Sequence, residues 1–187
     1  MYDVPSIIVF GSWAVFAVTW AIAALFVKRT AVRSWGGGRL LLWIVAPMLF
    51  WMAVRSQSLG TGWRWTPTLS SEWLAAMIVL LGLGVCLWAR FTLGGNWSGA
   101  VTLKEDHELI ERGPYRYVRH PIYSGFLLMA LGTAILHARG SELLFCGLLL
   151  LGFWFKLRAE EALLTRHFPE AYPQYRRRVK ALIPHVL

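Results

Sequence analysis

Charge is what this chain has least of. Only 16% of its 187 residues are charged, and the acids are the scarcer kind, 10 against 19 lysines and arginines. A soluble domain carries about 25% charged and about 45–50% apolar residues, whereas 57% of this chain is hydrophobic. That balance excludes a solvated globular surface and implies an integral membrane protein of one helical unit. Cysteine is nearly absent. Cys86 and Cys146 each lie in an apolar run without ligand spacing, so they read as reduced packing residues. There is no Cys-x-x-Cys, no His-Glu-x-x-His and no phosphate-binding glycine loop, so no metal centre is expected. No G-x-G-x-x-G follows a strand, and Gly82 and Gly84 fall mid-run. No charge lies in the middle of an apolar run, which argues against an ion path. A basic region before the first apolar run is also missing, and that run is too long for a signal peptide. The net charge of +9 would suggest nucleic acid in a soluble protein. Here the charges sort by membrane side, and no nucleic-acid partner is expected.

What is present is a set of apolar segments rich in interfacial aromatics, including 11 tryptophans. The expected fold class is an all-α integral membrane protein with about five transmembrane helices: 5–27, 40–54, 73–91, 122–136 and 143–155. The second is short and contains Pro47, a kink former. Residues 137–142 are too few for anything but an antiparallel hairpin. Residues 101–110, with a polar turn at Lys104-Glu105-Asp106, suggest a small β-hairpin. Gly94, Gly95 and Gly99 suggest a tight loop that approaches a ligand. The tail from Arg158 reads as an amphipathic interfacial helix broken by Pro169 and Pro173. The chain divides into three helices over 1–91 and a functional core over 92–187, within one membrane domain.

Placing the N-terminus outside puts 16 of the 19 basic residues in cytosolic connections and leaves Arg55, Arg64 and Arg139 outside. The C-terminus is then cytosolic. In that arrangement Arg119 and His120, entering the fourth helix, share one membrane depth with Glu160 and Glu161, leaving the fifth.

Residues 113–125, GPYRYVRHPIYSG, carry the most unusual composition. Pro121 suits the first turn of a helix. The unpaired N–H groups there, with Arg116 and Arg119, would form a positive pocket for a carboxylate or phosphate. The bland reading, arginines as membrane anchors, does not account for His120-Pro121 among Tyr115, Tyr117 and Tyr123. Glu160 and Glu161 have two readings as well: solvated acids paired with Lys156, Arg158 or Arg166, or a carboxylate site for an ammonium or sulfonium group. His137, His167 and His185 read as isolated surface or interfacial residues.

These blocks, together with EEALLTRHFPEAYPQY, resemble the isoprenylcysteine carboxyl methyltransferase family and, more distantly, phospholipid methyltransferases. The resemblance covers about half the chain, from Asn96 to Pro184. It implies S-adenosylmethionine as cofactor, bound without a Rossmann domain in a cytosolic pocket made by the last helix hairpin, the preceding loop and the tail. The cofactor-binding residues it implies are His107, Glu108, Leu109, Ile110, Tyr115, His120, Pro121, Ile122, Tyr123 and Glu160. The chain departs from the family pattern at Lys156, where eukaryotic members carry an arginine, and at Ala100, where a cofactor-contacting glutamine stands. Arg119, Lys156 and Arg158 are the expected substrate-binding residues. Candidates for direct catalysis are Arg119, Glu160 and Glu161. The expected reaction is carboxyl O-methylation of an isoprenylcysteine-like or other lipid-like substrate. An amine acceptor, as in phosphatidylethanolamine, would need a base, with Glu161 or His107 in that role. A sterol-reductase-like enzyme using a nicotinamide cofactor, and a non-enzymatic scaffold or small transporter, are the readings from other classes.

Overall fold

The helix boundaries are set by local chemistry. Asp3 accepts a 2.8 Å hydrogen bond from the Ser6 N–H, and Pro5 occupies the first turn, where its missing donor costs nothing. Helix α1 (Val4–Ala24) starts there in the computed structural model, which describes residues 3–33, 63–97, 102–104 and 108–186. Helix α2 (Leu69–Leu93) opens on a reciprocal cap in which Thr68 and Ser71 each bind the other's backbone N–H. It stops at Gly94, whose φ of 56° is strained for any side chain. Helix α3 (Pro121–His137) begins on its proline and ends at Ala138 in the left-handed conformation. Only Ala138 and Arg139 separate it from α4 (Gly140–His167), and a short α5 (Ala171–Arg178) follows.

Contacts at the helix ends fix their directions. Arg90, near the end of α2, donates to the carbonyls of Ala23 at 2.6 Å and Gly94 at 2.7 Å, so α1 and α2 finish together. At the other end the Trp63 carbonyl accepts from Gly140 N–H and the Ala138 carbonyl from Trp65 N–H, so α2 and α4 start together. Helices α1, α2 and α4 therefore run one way and α3 runs back.

The core lies between α1, α2 and α3. A Cβ on Gly82 would sit 2.5 Å from the Gly125 carbonyl, and one on Gly132 would sit 2.7 Å from the Ala75 carbonyl. Small residues thus bring the α2 and α3 backbones into contact, the usual means of packing helices in lipid. Val9, Val79, Cys86 and Met129 are fully buried beside that seam. Phe126 packs edge-on against Trp13 and Phe16 of α1, with ring centroids 5.2 and 5.6 Å away. Outward-facing Ile7, Val18, Leu81 and Phe91 are exposed, as a lipid-facing surface requires.

Some expectations are corrected, and others lie outside the described residues. Among the described residues three helices are long and apolar enough to cross a membrane: α1, the 69–96 stretch and α4, while α3 is apolar but only 17 residues long. The expected segment 40–54 lies outside the described residues. Of the expected hairpin within 101–110, the turn at 105–107 lies outside the described residues, and 108–110 form no strand. Strand β1 (Thr30–Arg33) instead pairs antiparallel with β2 (Thr102–Lys104), Thr30 opposite Lys104 and Arg33 opposite Thr102. The β-branched Thr30 and Val32 just after the first helix carry that signal. The last long helix runs unbroken to His167, so the tail is continuous with the span. Its 28 residues reach about 42 Å at about 1.5 Å each, longer than the roughly 30 Å hydrocarbon core. Pro173 does not break α5, because it stands in the first turn. Gly95 approaches the chain's own Lys28, its carbonyl accepting from the Lys28 N–H at 3.1 Å. His137 is not isolated: its Nδ1 lies 3.1 Å from Glu142 Oε1.

Candidate functional site

The site forms where α3 begins, α4 ends and the tail crosses both. Residues 118–120 take the tail as a neighbour: Arg119 N–H donates to the Lys180 carbonyl at 2.8 Å, and His120 N–H to the Ala181 carbonyl at 2.9 Å. Ser124 Oγ adds a 2.6 Å bond to the Leu182 carbonyl. The Arg119 and His120 N–H groups ahead of the proline turn are therefore engaged by the protein's own tail, and the Tyr123 and Ser124 N–H groups within it by the His120 carbonyl.

The side chains here form one connected polar network. Arg119 donates from Nε and Nη2 to Glu161 Oε1 at 2.8 and 2.6 Å. Its Nη1 reaches the carbonyls of Val179 and Arg176. His120 Nε2 lies 3.3 Å from the same Glu161 oxygen, and its Nδ1 lies 3.7 Å from Glu160 Oε2. Tyr123 donates to Glu160 Oε1 at 2.7 Å. The His120, Tyr123 and Phe153 rings stack in sequence, with centroids 5.5 and 4.6 Å apart. Lys156 Nζ lies 3.8 Å from Glu160 and 5.1 Å from the Tyr123 ring centre.

The adjacent acids do different work. The Glu161 side chain is 4% exposed and bound to Arg119, His120 and Arg176 Nε at 3.6 Å, whereas that of Glu160 is 20% exposed. Arg119, expected to hold a substrate, spends its donors on Glu161 and the tail. The exposed Arg158 lies over the Trp154 ring at 4.9 Å.

A cavity adjoins this network. Glu108, Leu109, Ile110, Tyr115, Arg119 and His120, all singled out from sequence, line it. Pro121 is fully buried and Ile122 half-buried just beyond, Tyr123 and Glu160 do not line the cavity but each contacts His120, and His107 lies outside the described residues. Sequence reasoning missed the remaining walls: Leu93 from the end of α2, Leu164 from α4, and Tyr172 and Tyr175 from α5. The one available signal was a pair of tyrosines three apart in an otherwise polar tail. Tyr175 donates a 2.6 Å hydrogen bond to the Tyr115 carbonyl, fastening the tail to the cavity wall. Burial pushes the phenols of Tyr115, Tyr172 and Tyr175 well above their usual acidity range, so all three are held as neutral O–H groups.

Residues 74–166 match the isoprenylcysteine carboxyl methyltransferase family. The chain is 43% identical over 99 residues to the protein-S-isoprenylcysteine O-methyltransferase of Schizosaccharomyces pombe, covering 51% of this chain and 42% of that one. It is 34% identical over 116 residues to the Saccharomyces cerevisiae enzyme of the same name, covering 60% and 48%. The mouse counterpart is 30% identical over 132 residues, covering 65% and 45%. The chain thus spans less than half the length of these three relatives. A solved structure described as the eukaryotic intramembrane Ras methyltransferase superposes with a TM-score of 0.53 at 22% identity, covering 82% of this chain and 55% of that one, a likeness of fold. The matching segment runs from within α2, through the α3 start, almost to the end of α4, and contains Arg119, His120, Tyr123, Lys156, Glu160 and Glu161 of the network just described: over residues 74–166 this chain belongs to the isoprenylcysteine carboxyl methyltransferase family.

Proposed function

We propose that this protein transfers a methyl group from S-adenosylmethionine to the carboxylate of an isoprenylcysteine-like amphiphile. The observation that carries the reading is the meeting of His120 with Glu160 and Glu161, from opposite ends of one helical hairpin, beside a cavity lined by Glu108–Ile110 and Tyr115. The cavity's chemistry fits an adenosyl amino acid. Leu93, Ile110 and Leu164 offer apolar walls, the tyrosine rings offer stacking faces, and Glu108 offers a carboxylate for an ammonium.

When bound, the cofactor supplies an electrophilic methyl group on a sulfonium. A carboxylate acceptor, with a pKa of ~3.5, arrives already ionised and needs no general base. The chain's work is alignment and exclusion of water, which can lower a barrier by about 7–11 kcal/mol. His120, Tyr115 and Tyr123 position the cofactor. Glu160, the more reachable acid, balances its positive charge. Lys156 and Arg158 hold the acceptor's carboxylate, because Arg119 is committed to Glu161 and the tail. The prenyl chain lies among the apolar helix faces in the bilayer.

The orientation that fits has the Arg119–Glu161 end cytosolic and the Arg64–Arg139 end outside. Support comes from the structure's sorting of basic residues: Lys28, Arg90, Arg119 and Lys156 lie toward one end, and the backbones at Arg64 and Arg139 bridge at the other. Five spans, counting segment 40–54, complete that orientation.

The test is calorimetry with S-adenosylhomocysteine, followed by transfer of a labelled methyl group to a prenylcysteine analogue. A methyl ester releases methanol in mild alkali, and a methylated amine does not. Failure to bind S-adenosylhomocysteine, or an alkali-stable product, overturns the proposal. His120→Ala and Glu160→Gln should each weaken S-adenosylhomocysteine binding at least tenfold, on the order of 1.4 kcal/mol.

A further inference from the structure

The two tail tyrosines that line the cavity differ in one respect. Tyr175 is 2% exposed and its hydroxyl is spent on the Tyr115 carbonyl. Tyr172 is 1% exposed, and its hydroxyl has no hydrogen-bond partner among the described residues. Arg119 lies near the phenol but binds Glu161 and the carbonyls of Arg176 and Val179, and a guanidinium can only donate to the phenol oxygen, so the phenol's own hydrogen has no acceptor. A phenylalanine would fill the same space without a stranded polar atom, so stability alone does not explain a tyrosine here. An unpaired O–H lining a cavity is a donor awaiting an acceptor.

We propose that the Tyr172 hydroxyl is a ligand-contacting group of this pocket, donating a hydrogen bond to an acceptor atom, a ring nitrogen or a carboxylate oxygen, of the adenosyl methyl donor. The inference rests on the methyl-transfer reading above and adds the tail to the cofactor site. Burial keeps the phenol protonated, so its O–H hydrogen remains available to donate. Glu108, which lines the same cavity, is exposed and has no hydrogen bond or ion pair among the described residues, so its side chain can swing to admit a ligand. The chain's own folding then makes the ligand contact: Tyr175 and Arg119 pin α5, and α5 presents Tyr172. A cofactor that meets Tyr172 makes the tail part of the pocket.

The experiment compares wild type, Tyr172→Phe and Tyr175→Phe as full-length proteins in detergent, by calorimetry with S-adenosylhomocysteine and by ligand-free thermal melting. For Tyr172→Phe the expected result is about a tenfold loss of affinity with a melting temperature equal to or above wild type. Tyr175→Phe should lower the melting temperature, because its hydroxyl has a partner to lose. Full affinity in Tyr172→Phe overturns the inference, as does a fall in its melting temperature comparable to that of Tyr175→Phe. A wild type that binds no S-adenosylhomocysteine overturns the methyl-transfer reading itself, and this inference with it. Repeating the titration with methylthioadenosine, which lacks the amino-acid portion, locates the acceptor. A loss that persists places it on the nucleoside, and a loss that disappears places it on the carboxylate.

Discussion

Helix α3 is held on its two sides by different means. Toward α2 it presents Gly125, Met129 and Gly132, and the backbones touch with no ion pair between them. Toward the end of α4 and the tail, its first turn presents His120, Tyr123 and Ser124 to two carboxylates and a backbone carbonyl. In lipid, apolar surface gains little by leaving the solvent, so the first seam depends on close approach and dispersion. The second lies where the helices end, and its strength comes from charges removed from water and satisfied by one another. The seam tolerates no added volume but is indifferent to charge. The corner can accommodate small changes of volume but not an unmatched charge.

The harshest way to break that contrast is to strand a charge in the corner. Glu161→Ala leaves the buried Arg119 guanidinium without its carboxylate, and breaking such a pair costs about 3–5 kcal/mol. The expected outcome is a large drop in melting temperature and rapid proteolysis of the tail beyond Arg178. The paired variant Arg119→Met with Glu161→Leu should melt above Glu161→Ala, because no charge is then left unmatched. A double variant melting below the single one would show that Arg119's bonds to the tail carbonyls outweigh its ion pair.

A smaller effect tests the seam. Gly125→Ala would place a Cβ 2.6 Å from the Gly82 carbonyl and 2.7 Å from Cys86 Sγ. Alanine gains up to about 1 kcal/mol of helix propensity, but overpacking against a backbone that cannot swing aside costs about 1–3 kcal/mol. The clash should prevail, lowering the melting temperature by several degrees with tail proteolysis unchanged. Gly84→Ala, on the facing helix α2 with nothing within 4 Å, serves as its control and should be neutral or stabilising.

How much of this could be read in advance differs between the two sides. The hairpin of α3 and α4 was legible because residues 137–142 leave no room for another connection. The meeting of His120 with Glu160 followed from that hairpin alone. The Glu108–Ile110 and Tyr115 wall came from the resemblance, not from periodicity. What could not be read was non-local. Thr30–Arg33 pairs with Thr102–Lys104 across α2, and nothing in either stretch names the other. Arg90 looked like a membrane-side marker, yet it is 3% exposed and ties α1 to α2. The tail looked like a surface helix because Leu163, Leu164 and Phe168 have helical spacing with charges between them; the structure uses its backbone carbonyls and two buried tyrosines, and a hydropathy pattern registers neither.

Within the tail the same comparison can be made between single contacts. Ser124→Ala removes the 2.6 Å bond to the Leu182 carbonyl in a half-buried position, worth about 0.5–1.5 kcal/mol. Its expected effect is earlier cleavage beyond Lys180 with little change in the global melt. The smallest effect belongs to Arg178, whose Nη2 lies 2.8 Å from Glu111 Oε2. That distance is as short as the Arg119–Glu161 bonds, but the two side chains are 65% and 34% exposed. Water screens both partners and their long side chains lose freedom on pairing, so such contacts are worth about 0–1 kcal/mol. Arg178→Ala should therefore shift the melting temperature barely at all, and the shift should vanish near 1 M salt, where the screening length falls to about 3 Å. If Arg178→Ala instead destabilises the protein as Glu161→Ala does, independently of salt, then bond length rather than burial governs this corner, and the contrast between the two sides of α3 needs another cause.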